Sequence, residues 1–278
     1  MIRKIGIMQG RLSEPLNGKI QSFPKTTWQE EFDKAVAAGL NAIEWIFEAD
    51  EWEKNPISSE IGIKEINDFQ KKTGIEICSV CADYFMDIPY FSADSNLRKD
   101  LKEKLNWLVV KSSEINASFI DIPFVDASRI PSHKEFDLVE EMISEAAGKA
   151  AEHNIILALE TSLNPSDFKT LLQKINHPNV MSNYDTGNSS GIGYNCVEEL
   201  SAYGNYIRTI HIKDRLLTNG TKPLGTGSAD FHSFFKTLSN YNYSGPIILQ
   251  AAREQDGEEV STAIKNRKFV EEFLRIYN

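Results

Sequence analysis

The segment VMSNYDTGN at residues 180–188 and the segment IRTIHIKD at residues 207–214 have the same organisation. Each begins as a short run rich in apolar residues and ends in polar residues. Runs of this kind, bounded by turn-forming or charged residues, predict short buried strands. The interval between them has room for one helix and two loops. The pair therefore predicts a β–α–β unit with parallel strands and a right-handed crossover.

The same pattern extends over the whole chain. Eight strands are predicted, at residues 5–8, 42–47, 76–81, 119–124, 155–160, 180–185, 207–212 and 246–251. The intervals between them carry helix signals, such as the helical spacing of Leu97, Leu101 and Leu105 and a predicted capping box formed by Thr27 and Glu30. Eight alternating pairs are the number that closes into a (β/α)8 barrel. We therefore predict an α/β fold in which residues 1–278 form a single TIM barrel domain.

An open, doubly wound sheet is the alternative arrangement of alternating strands and helices. Its dinucleotide-binding form carries a GxGxxG stretch after the first strand. Residues 8–11 have the sequence MQGR instead. A closed barrel is therefore favoured.

Composition excludes several classes of protein. The 278 residues are 41% hydrophobic and 25% charged, with 40 acidic against 30 basic side chains and a net charge of −10. Such a surface repels nucleic-acid backbones and anionic lipid, so we expect neither partner. The first apolar run, at 5–8, is too short for a signal peptide, and no run approaches the roughly 18 apolar residues of a membrane span. These features predict a cytoplasmic protein.

The three cysteines form an odd and sparse set, which favours reduced thiols over a disulfide framework. Cys78 and Cys81 make a CxxC pair. They lie in a predicted strand, where residues three apart point to opposite faces. The pair is therefore predicted to be structural rather than metal-binding or redox-active.

Polar side chains accompany the carboxyl-terminal halves and ends of the predicted strands, where barrels carry their active sites. They are Gln9, Glu44, Asp83, Glu160, Asp185, His211 and Gln250. Glu160, Asp185 and His211 lie on three consecutive strands, which are about 4.8 Å apart in a sheet. Two carboxylates and an imidazole suit Mn²⁺, Mg²⁺, Co²⁺ or Zn²⁺. The alternative for Asp185 is to organise the turn at 186–188.

Five stretches give the chain a family resemblance over essentially its whole length. They are LALE at 157–160, YDTGN at 184–188, HIKD at 211–214, GTGSADF at 225–231 and GPIILQ at 245–250. In this order and spacing they resemble the xylose isomerase-like TIM barrels. Within that superfamily they are most similar to the sugar-phosphate isomerases and epimerases of the L-ribulose-5-phosphate 3-epimerase-like and ketohexose 3-epimerase-like groups.

The resemblance implies functions for particular residues. Glu160, Asp185 and His211 would be metal ligands, and Glu160 would also be an acid/base group on the substrate carbon. The fourth ligand and second acid/base group is a glutamate in the family, at the position of Gln250. Gln250 can offer an amide oxygen to a metal, but it cannot exchange a proton near neutral pH.

This departure discounts a two-base epimerisation. A single-base 1,2-isomerisation through Glu160 is compatible with it, as are metal-assisted hydrolysis and dehydration. We expect a metal-dependent isomerase or epimerase acting on a small sugar or sugar phosphate. The alternative is a sugar-binding barrel with altered chemistry or none. Endonuclease-IV-like barrels fit poorly because their cluster of metal-binding histidines is missing.

Further side chains are predicted around the substrate, each with a structural alternative. Lys213 points to the same side as His211 and could polarise a substrate oxygen, or pair with a neighbouring acid. Glu44, Asn188, Arg11 and Arg253 are predicted to bind substrate, the arginines through an anionic group. The loop at 225–228 could bind phosphate through its amides. The alternative for that loop is a purely structural role.

Family members of this kind commonly form dimers or tetramers. The hydrophobic segment at 84–91 is a candidate homo-oligomer interface.

Overall fold

The computed structural model describes residues 4–218 and 220–277, without the side chain of residue 17. The strands are Ile5–Met8 (β1), Ala42–Ile46 (β2), Glu76–Cys81 (β3), Phe119–Phe124 (β4), Ile156–Thr161 (β5), Val180–Asp185 (β6), Ile207–Ile212 (β7), Asp214–Arg215 (β8), Thr221–Lys222 (β9) and Ile247–Leu249 (β10). The α-helices are Glu30–Ala37 (α1), Glu60–Thr73 (α2), Tyr84–Asp87 (α3), Ser95–Glu114 (α4), Phe136–Glu152 (α5), Pro165–Ile175 (α6), Thr186–Ile192 (α7), Cys196–Tyr203 (α8), Phe231–Leu238 (α9) and Glu259–Tyr277 (α10).

Eight strands close into a barrel in the order β1–β10–β7–β6–β5–β4–β3–β2, and every neighbouring pair is parallel. The remaining pair, β8 and β9, forms a small antiparallel ribbon after β7. The predicted (β/α)8 barrel is therefore confirmed. The barrel is shut by its first and last strands, where Ile5 lies opposite Ile247.

The strand sequences explain the burial of the barrel wall. β1, β2 and β10 are buried at every residue, because helices cover the outside and side chains fill the inside. Cys78 and Cys81 of β3 are both buried and neither forms a disulfide, as the structural interpretation of the CxxC pair requires. No helix among the described residues is long and apolar enough to cross a membrane.

One helix start differs from its prediction. α1 begins at Glu30 after Gln29, which makes no side-chain cap, so the predicted capping box is wrong. The hydroxyl of Thr27 instead lies 3.1 Å from the hydroxyl of Ser13, which holds two loops together. The hydroxyl that the local pattern assigned to the start of α1 therefore makes a tertiary contact instead.

The strand register sets the heights of the polar side chains. Asp185, the last residue of β6, lies opposite His211 of β7, so these two are level across the sheet. Glu160 lies opposite Pro123 of β4, one residue before the end of β5. Gln250 follows β10 directly, and its backbone N–H donates to the carbonyl of Ile212 at the end of β7. The carboxyl-terminal rim therefore gathers groups from four adjacent strands.

Candidate active site

A cavity of about 350 Å³ opens at the carboxyl-terminal ends of the barrel strands. Asp121 of β4, Glu160 of β5 and Gln250 line it, together with Lys213, which lies between β7 and β8. Loop residues complete the wall, among them Gln21 and Asp83. This is the position at which barrel enzymes carry out their chemistry.

Asp121, Glu160 and His211 form a compact buried group. Each offers one ligand atom, and the three atoms lie within 4.8 Å of one another. Nδ1 of His211 is 3.3 Å from Oε2 of Glu160. Asp121 was not among the polar residues selected from the sequence, although it is the one charged residue in the buried strand FIDIPF. A lone carboxylate in an apolar strand was the signal that could have found it.

The two acids of this group differ in their electrostatics. Burial, and then repulsion from Glu160, raise the pKa of the Asp121 carboxyl well above its usual range. Burial acts the same way on Glu160, but its contacts with His211 outweigh that and lower the pKa of Glu160 below its ordinary value. Glu160 therefore ionises more readily than Asp121.

His211 is held from both sides. Nε2 is 2.8 Å from Oε2 of Glu44, and both side chains are completely buried. Burial lowers the pKa of the His211 ring, but the negative charge of Glu44 and the contact with Glu160 raise it well above the ordinary value. Glu44 was predicted to bind substrate; it lies behind the histidine and does not line the cavity. That prediction stays untested, and the contacts favour a supporting role.

Two asparagines fix the carboxylate of Glu160. Nδ2 of Asn183 donates to Oε2 over 2.8 Å, and Nδ2 of Asn188 donates to Oε1. Nδ2 of Asn183 also lies 3.1 Å from Nδ1 of His211. The side-chain carbonyl of Asn183 accepts a hydrogen bond from the hydroxyl of Thr209. Asn183 was not anticipated from the sequence. Asn188 was predicted to bind substrate; it lines the cavity, and its contact with substrate stays a prediction.

Asp185 has a double function in the structure. Its Oδ1 accepts the backbone N–H groups of Gly187 and Asn188, both over 2.8 Å, and so caps α7. Its Oδ2 lies 3.5 Å from Nζ of Lys213. Burial raises the pKa of Asp185 although Lys213 opposes this. The turn-organising alternative is therefore realised, while metal ligation by Asp185 stays a prediction.

Lys213 and Gln250 meet at the edge of the cavity. Nζ of Lys213 donates to Oε1 of Gln250 over 3.2 Å, and Nε2 of Gln250 donates to Gln21 over 3.0 Å. Gln21 in turn donates to Asp83 over 2.8 Å. These bonds form a continuous chain of polar side chains along one wall. Gln250 is therefore satisfied as a neutral amide, with both ends of its side chain occupied.

The two predicted anion-binding arginines face the backbone. Arg253 donates to the carbonyls of Gly10, Ser13 and Ile20, and Arg11 donates to the carbonyls of Ile20 and Ala251. Both line a separate small cavity next to α10 instead of the large one. Their contact with substrate stays a prediction, and these bonds favour a structural role.

The glycine-rich loop after β7 is organised by Asp214. This buried carboxylate accepts the backbone N–H groups of Gly225, Gly227 and Ala229 over 2.8–3.1 Å. A Cβ at Gly227 would lie 2.1 Å from Oδ1 of Asp214, so the loop needs glycine there. The structural interpretation of this loop agrees with these contacts.

The segment at 84–91 folds into the chain itself. Phe85 and Tyr90 are 1% exposed, and Tyr84 stacks on Phe47. The predicted oligomer interface at this segment would therefore have to use its partly buried residues, and it stays a prediction.

The buried carboxylate and imidazole groups of this cluster are suitable ligands for a divalent cation. Among the described residues, Oδ1 of Asp121 is a buried carboxylate oxygen without a hydrogen-bond partner, and it belongs to the same compact group as Glu160 and His211. Such atoms are costly when buried, and carboxylates with an imidazole are the ligands that Mn²⁺, Mg²⁺ and Zn²⁺ accept. A carboxylate on the far ring nitrogen of a histidine is also the usual support of a metal-binding imidazole.

Comparisons with known proteins agree with this geometry. Residues 32–272 match the family model described as "Xylose isomerase-like TIM barrel". The chain is 27% identical over 269 residues to the Haemophilus influenzae protein named "Putative L-ribulose-5-phosphate 3-epimerase SgbU", covering 90% of this chain and 93% of that one. A solved L-ribulose 3-epimerase superposes with a TM-score of 0.77 at 14% identity, covering 99% and 96%. The IolI protein, solved with a zinc atom, superposes with a TM-score of 0.76 at 14% identity, covering 99% of each chain.

Proposed function

Because the chain belongs to the xylose isomerase-like TIM barrel family, we propose that it is a divalent-metal-dependent isomerase or epimerase of a small sugar or sugar phosphate. The observation that carries the proposal is the buried Asp121–Glu160–His211 group beside a cavity of about 350 Å³. The name of SgbU and the epimerase fold neighbour support the same class of reaction.

Glu160 and His211 are the core of the proposed metal site. The family resemblance implies a ligand set of Glu160, Asp185, His211 and Gln250. Glu160 and His211 also belong to the compact group with Asp121. We propose that Asp121 supplies the anionic charge that Gln250 lacks. A bound divalent ion would stabilise the negative charge that develops on the substrate oxygens when a proton leaves the neighbouring carbon.

Glu160 is the proposed base. Its lowered pKa keeps it ionised, and Asn183 and Asn188 hold both carboxylate oxygens in place. Glu160 takes the proton from the hydroxyl-bearing carbon next to the substrate carbonyl and returns it, on the same face of the enediolate, to the former carbonyl carbon, while the hydroxyl proton passes to the former carbonyl oxygen. A fixed carboxylate at the cavity wall suits this transfer, because only a short movement of the proton is needed.

Lys213 and Gln250 lie together on one wall of the cavity. Nζ of Lys213 is directed at Gln250 and Asp185, and it donates a hydrogen bond to a substrate oxygen that reaches this wall. Gln250 cannot carry a proton, so the described residues at that wall provide no glutamate to work as a second base. We therefore favour single-base 1,2-isomerisation over two-base 3-epimerisation.

Solvent exchange tests the proposal directly. Wild-type protein with Mn²⁺ is incubated in D₂O with free ketoses and ketose phosphates, and NMR records deuterium at the carbon beside the carbonyl. We expect exchange with at least one substrate and its loss in Glu160→Gln. Glu254→Gln, at an exposed acid paired with Lys265, is the matched control and keeps the activity. Absence of exchange with every ketose would contradict the proposal.

A sugar-binding protein without catalysis is the second candidate. It is favoured by one observation, the full hydrogen bonding of Gln250 as a neutral amide to Lys213 and Gln21. Ketose binding without deuterium exchange, at saturating Mn²⁺, would bring this candidate forward.

A further inference from the structure

The charge of the cavity bears on which sugars it can accept. Its lining contains six carboxyl side chains and two ammonium groups: Glu48, Asp83, Asp87, Asp121, Asp126 and Glu160, with Lys19 and Lys213. One divalent cation would leave the formal charge of these groups negative. A phosphate dianion entering this cavity would meet net repulsion, whereas a neutral polyol would not.

The two lysines do not form a phosphate site. Nζ of Lys213 already contacts Asp185 and Gln250, at 3.5 Å and 3.2 Å, which leaves one of its three N–H groups for a substrate oxygen. Lys19 is exposed, as are Asp87 and Asp126, so solvent screens these three charges, and the four buried carboxyl groups still outnumber Lys213. A tightly held phosphate usually contacts several cationic or N–H groups at once.

The backbone amides suited to an anion are also occupied. In many barrels the loop after the seventh strand binds phosphate through its N–H groups. Here the buried carboxylate of Asp214 takes the N–H groups of Gly225, Gly227 and Ala229. The protein thus places its own anion in the loop where a substrate phosphate would be bound.

The arginines nearest the rim are engaged elsewhere. Arg253 and Arg11 donate to the main-chain carbonyls of Gly10, Ile20 and Ala251. Nη1 of Arg215 donates to the side chain of Asn188 over 2.9 Å. Recruiting any of them for phosphate would break these bonds, which hold loops at the barrel mouth.

The cavity offers more to sugar hydroxyls. Gln21, Asn188 and Gln250 present amide groups, and Asp83 presents a carboxyl group, along its wall. These amides already bond to neighbouring side chains, but each amide has two N–H groups and two carbonyl lone pairs, so sugar hydroxyls can add donors and acceptors to the network without a net charge. The volume of about 350 Å³ is near the lower end of the roughly 300–1,000 Å³ of small-molecule pockets, which suits a single sugar ring or open-chain ketose.

From the charge of the lining, the occupied glycine loop and the engaged arginines, we infer that this site takes unphosphorylated sugars and rejects their phosphate esters. The inference rests on the proposed function, because it names the substrate class of the same site. It also means that the substrate of this chain differs from the phosphate ester that the name of SgbU specifies.

Binding and turnover are measured separately, so that the preference for unphosphorylated sugars and the proposed isomerase or epimerase activity can be contradicted independently. L-Ribulose and L-ribulose 5-phosphate are titrated into the Mn²⁺-loaded protein by calorimetry, and conversion of each is followed by NMR. We expect the free sugar to bind at least about tenfold more tightly than its ester. Equal or tighter binding of the ester overturns the inference and leaves the proposed function intact. Preferential binding of the free sugar without any turnover upholds the inference and contradicts the proposed function, and binding of neither compound overturns the inference.

A matched pair of variants tests the electrostatic cause. Asp126→Asn removes one exposed carboxylate from the cavity lining, and asparagine tolerates the positive φ of 49° at this position. Asp100→Asn removes one from the exposed surface of α4. We expect the ratio of ester to free-sugar affinity to rise about two- to fivefold in Asp126→Asn and to stay constant in Asp100→Asn. An unchanged ratio in the first variant, or an equal change in both, overturns the inference.

Discussion

Nε2 of His211 lies 2.8 Å from Oε2 of Glu44, in a part of the barrel where neither side chain touches solvent. This contact leaves Nδ1 facing Glu160 at 3.3 Å. Glu44 therefore fixes the orientation of the imidazole and leaves one chosen nitrogen for the proposed metal. In this interpretation Glu44 is a positioning residue, acting through His211.

Replacing Glu44 tests that role. Glu44→Gln should weaken Mn²⁺ binding by about 10- to 100-fold, because the supporting partner of a ligating histidine is removed. His211→Ala should abolish binding at the same concentrations. Mn²⁺ titration by electron paramagnetic resonance measures both. Affinity in Glu44→Gln equal to that of wild type would exclude the positioning role.

The contribution of Asp121 is tested against a neighbouring acid. Asp121→Asn should weaken Mn²⁺ binding by about tenfold or more, since an anionic ligand is replaced by a neutral one. Asp83→Asn is the matched control, because Asp83 is also buried and lines the same cavity. It should change the affinity less than about threefold. Equal effects of the two substitutions would mean that Asp121 acts only through the general field of the cavity.

Gln250→Glu restores the acidic residue that the family resemblance implies. We expect tighter Mn²⁺ binding and the appearance or increase of 3-epimerase activity, because a second proton-exchanging group enters the site. Gln21→Glu is the control, because it adds the same negative charge to the same cavity at the hydrogen-bond partner of Gln250. If the metal affinity of Gln250→Glu matches wild type, this side chain does not face the ion.

Glu31 should make stability depend on pH. Burial raises its pKa from 4.5 to about 7, although the N–H groups of Gly10 and Leu12 and the hydroxyl of Ser13 donate to it. The folded state thus holds the proton more tightly than the unfolded state. The contribution of Glu31 is fully present below about pH 4.5 and is lost as the pH rises to about 7, by about 3 kcal/mol in total.

Urea unfolding between pH 4.5 and pH 8 measures this effect. The difference in unfolding free energy between wild type and Glu31→Gln should fall by about that amount over the window. A difference that stays constant with pH would contradict the assignment of the titration to Glu31.

Two glycine substitutions test the loop that Asp214 organises. Gly227→Ala should cost about 2–3 kcal/mol, because its Cβ would lie 2.1 Å from the Asp214 carboxylate. Gly148→Ala is the control, since a Cβ there has no heavy atom within 4 Å in α5. It should stabilise the protein by about 0.4–1 kcal/mol. Chemical denaturation of the two variants provides the comparison, and equal changes would show that Gly227 is not sterically required.

The barrel could be predicted because its strands are short apolar runs with clear ends. β6 and β7 were placed at their exact bounds, and β5 was placed within one residue. Prediction failed at Thr27, where a hydroxyl serves a tertiary contact with Ser13 instead of the helix start. Local patterns carry no information about such partners.

The candidate site was predictable only in part. Glu160 of β5 and His211 of β7 come together, as their positions on three consecutive strands with Asp185 suggested. Asp121 and Asn183 were missed because each lies inside a buried strand, before its carboxyl end, and only the closed barrel brings them to Glu160 and His211. The hydrogen bonds of Arg11 to Ile20 and Ala251 depend on loop paths that no periodicity encodes.

The pairing of Ile5 with Ile247 joins the two ends of the chain across the last gap of the barrel. While the protein is being synthesised, β1 and β7 each carry an unpaired edge until β10 leaves the ribosome, because β10 is the partner of both. Exposed strand edges invite pairing with other chains, so the nascent protein is vulnerable to aggregation until β10 has emerged. Gln250 follows β10 directly, so neither the barrel nor this part of the cavity wall can be complete before that segment is made.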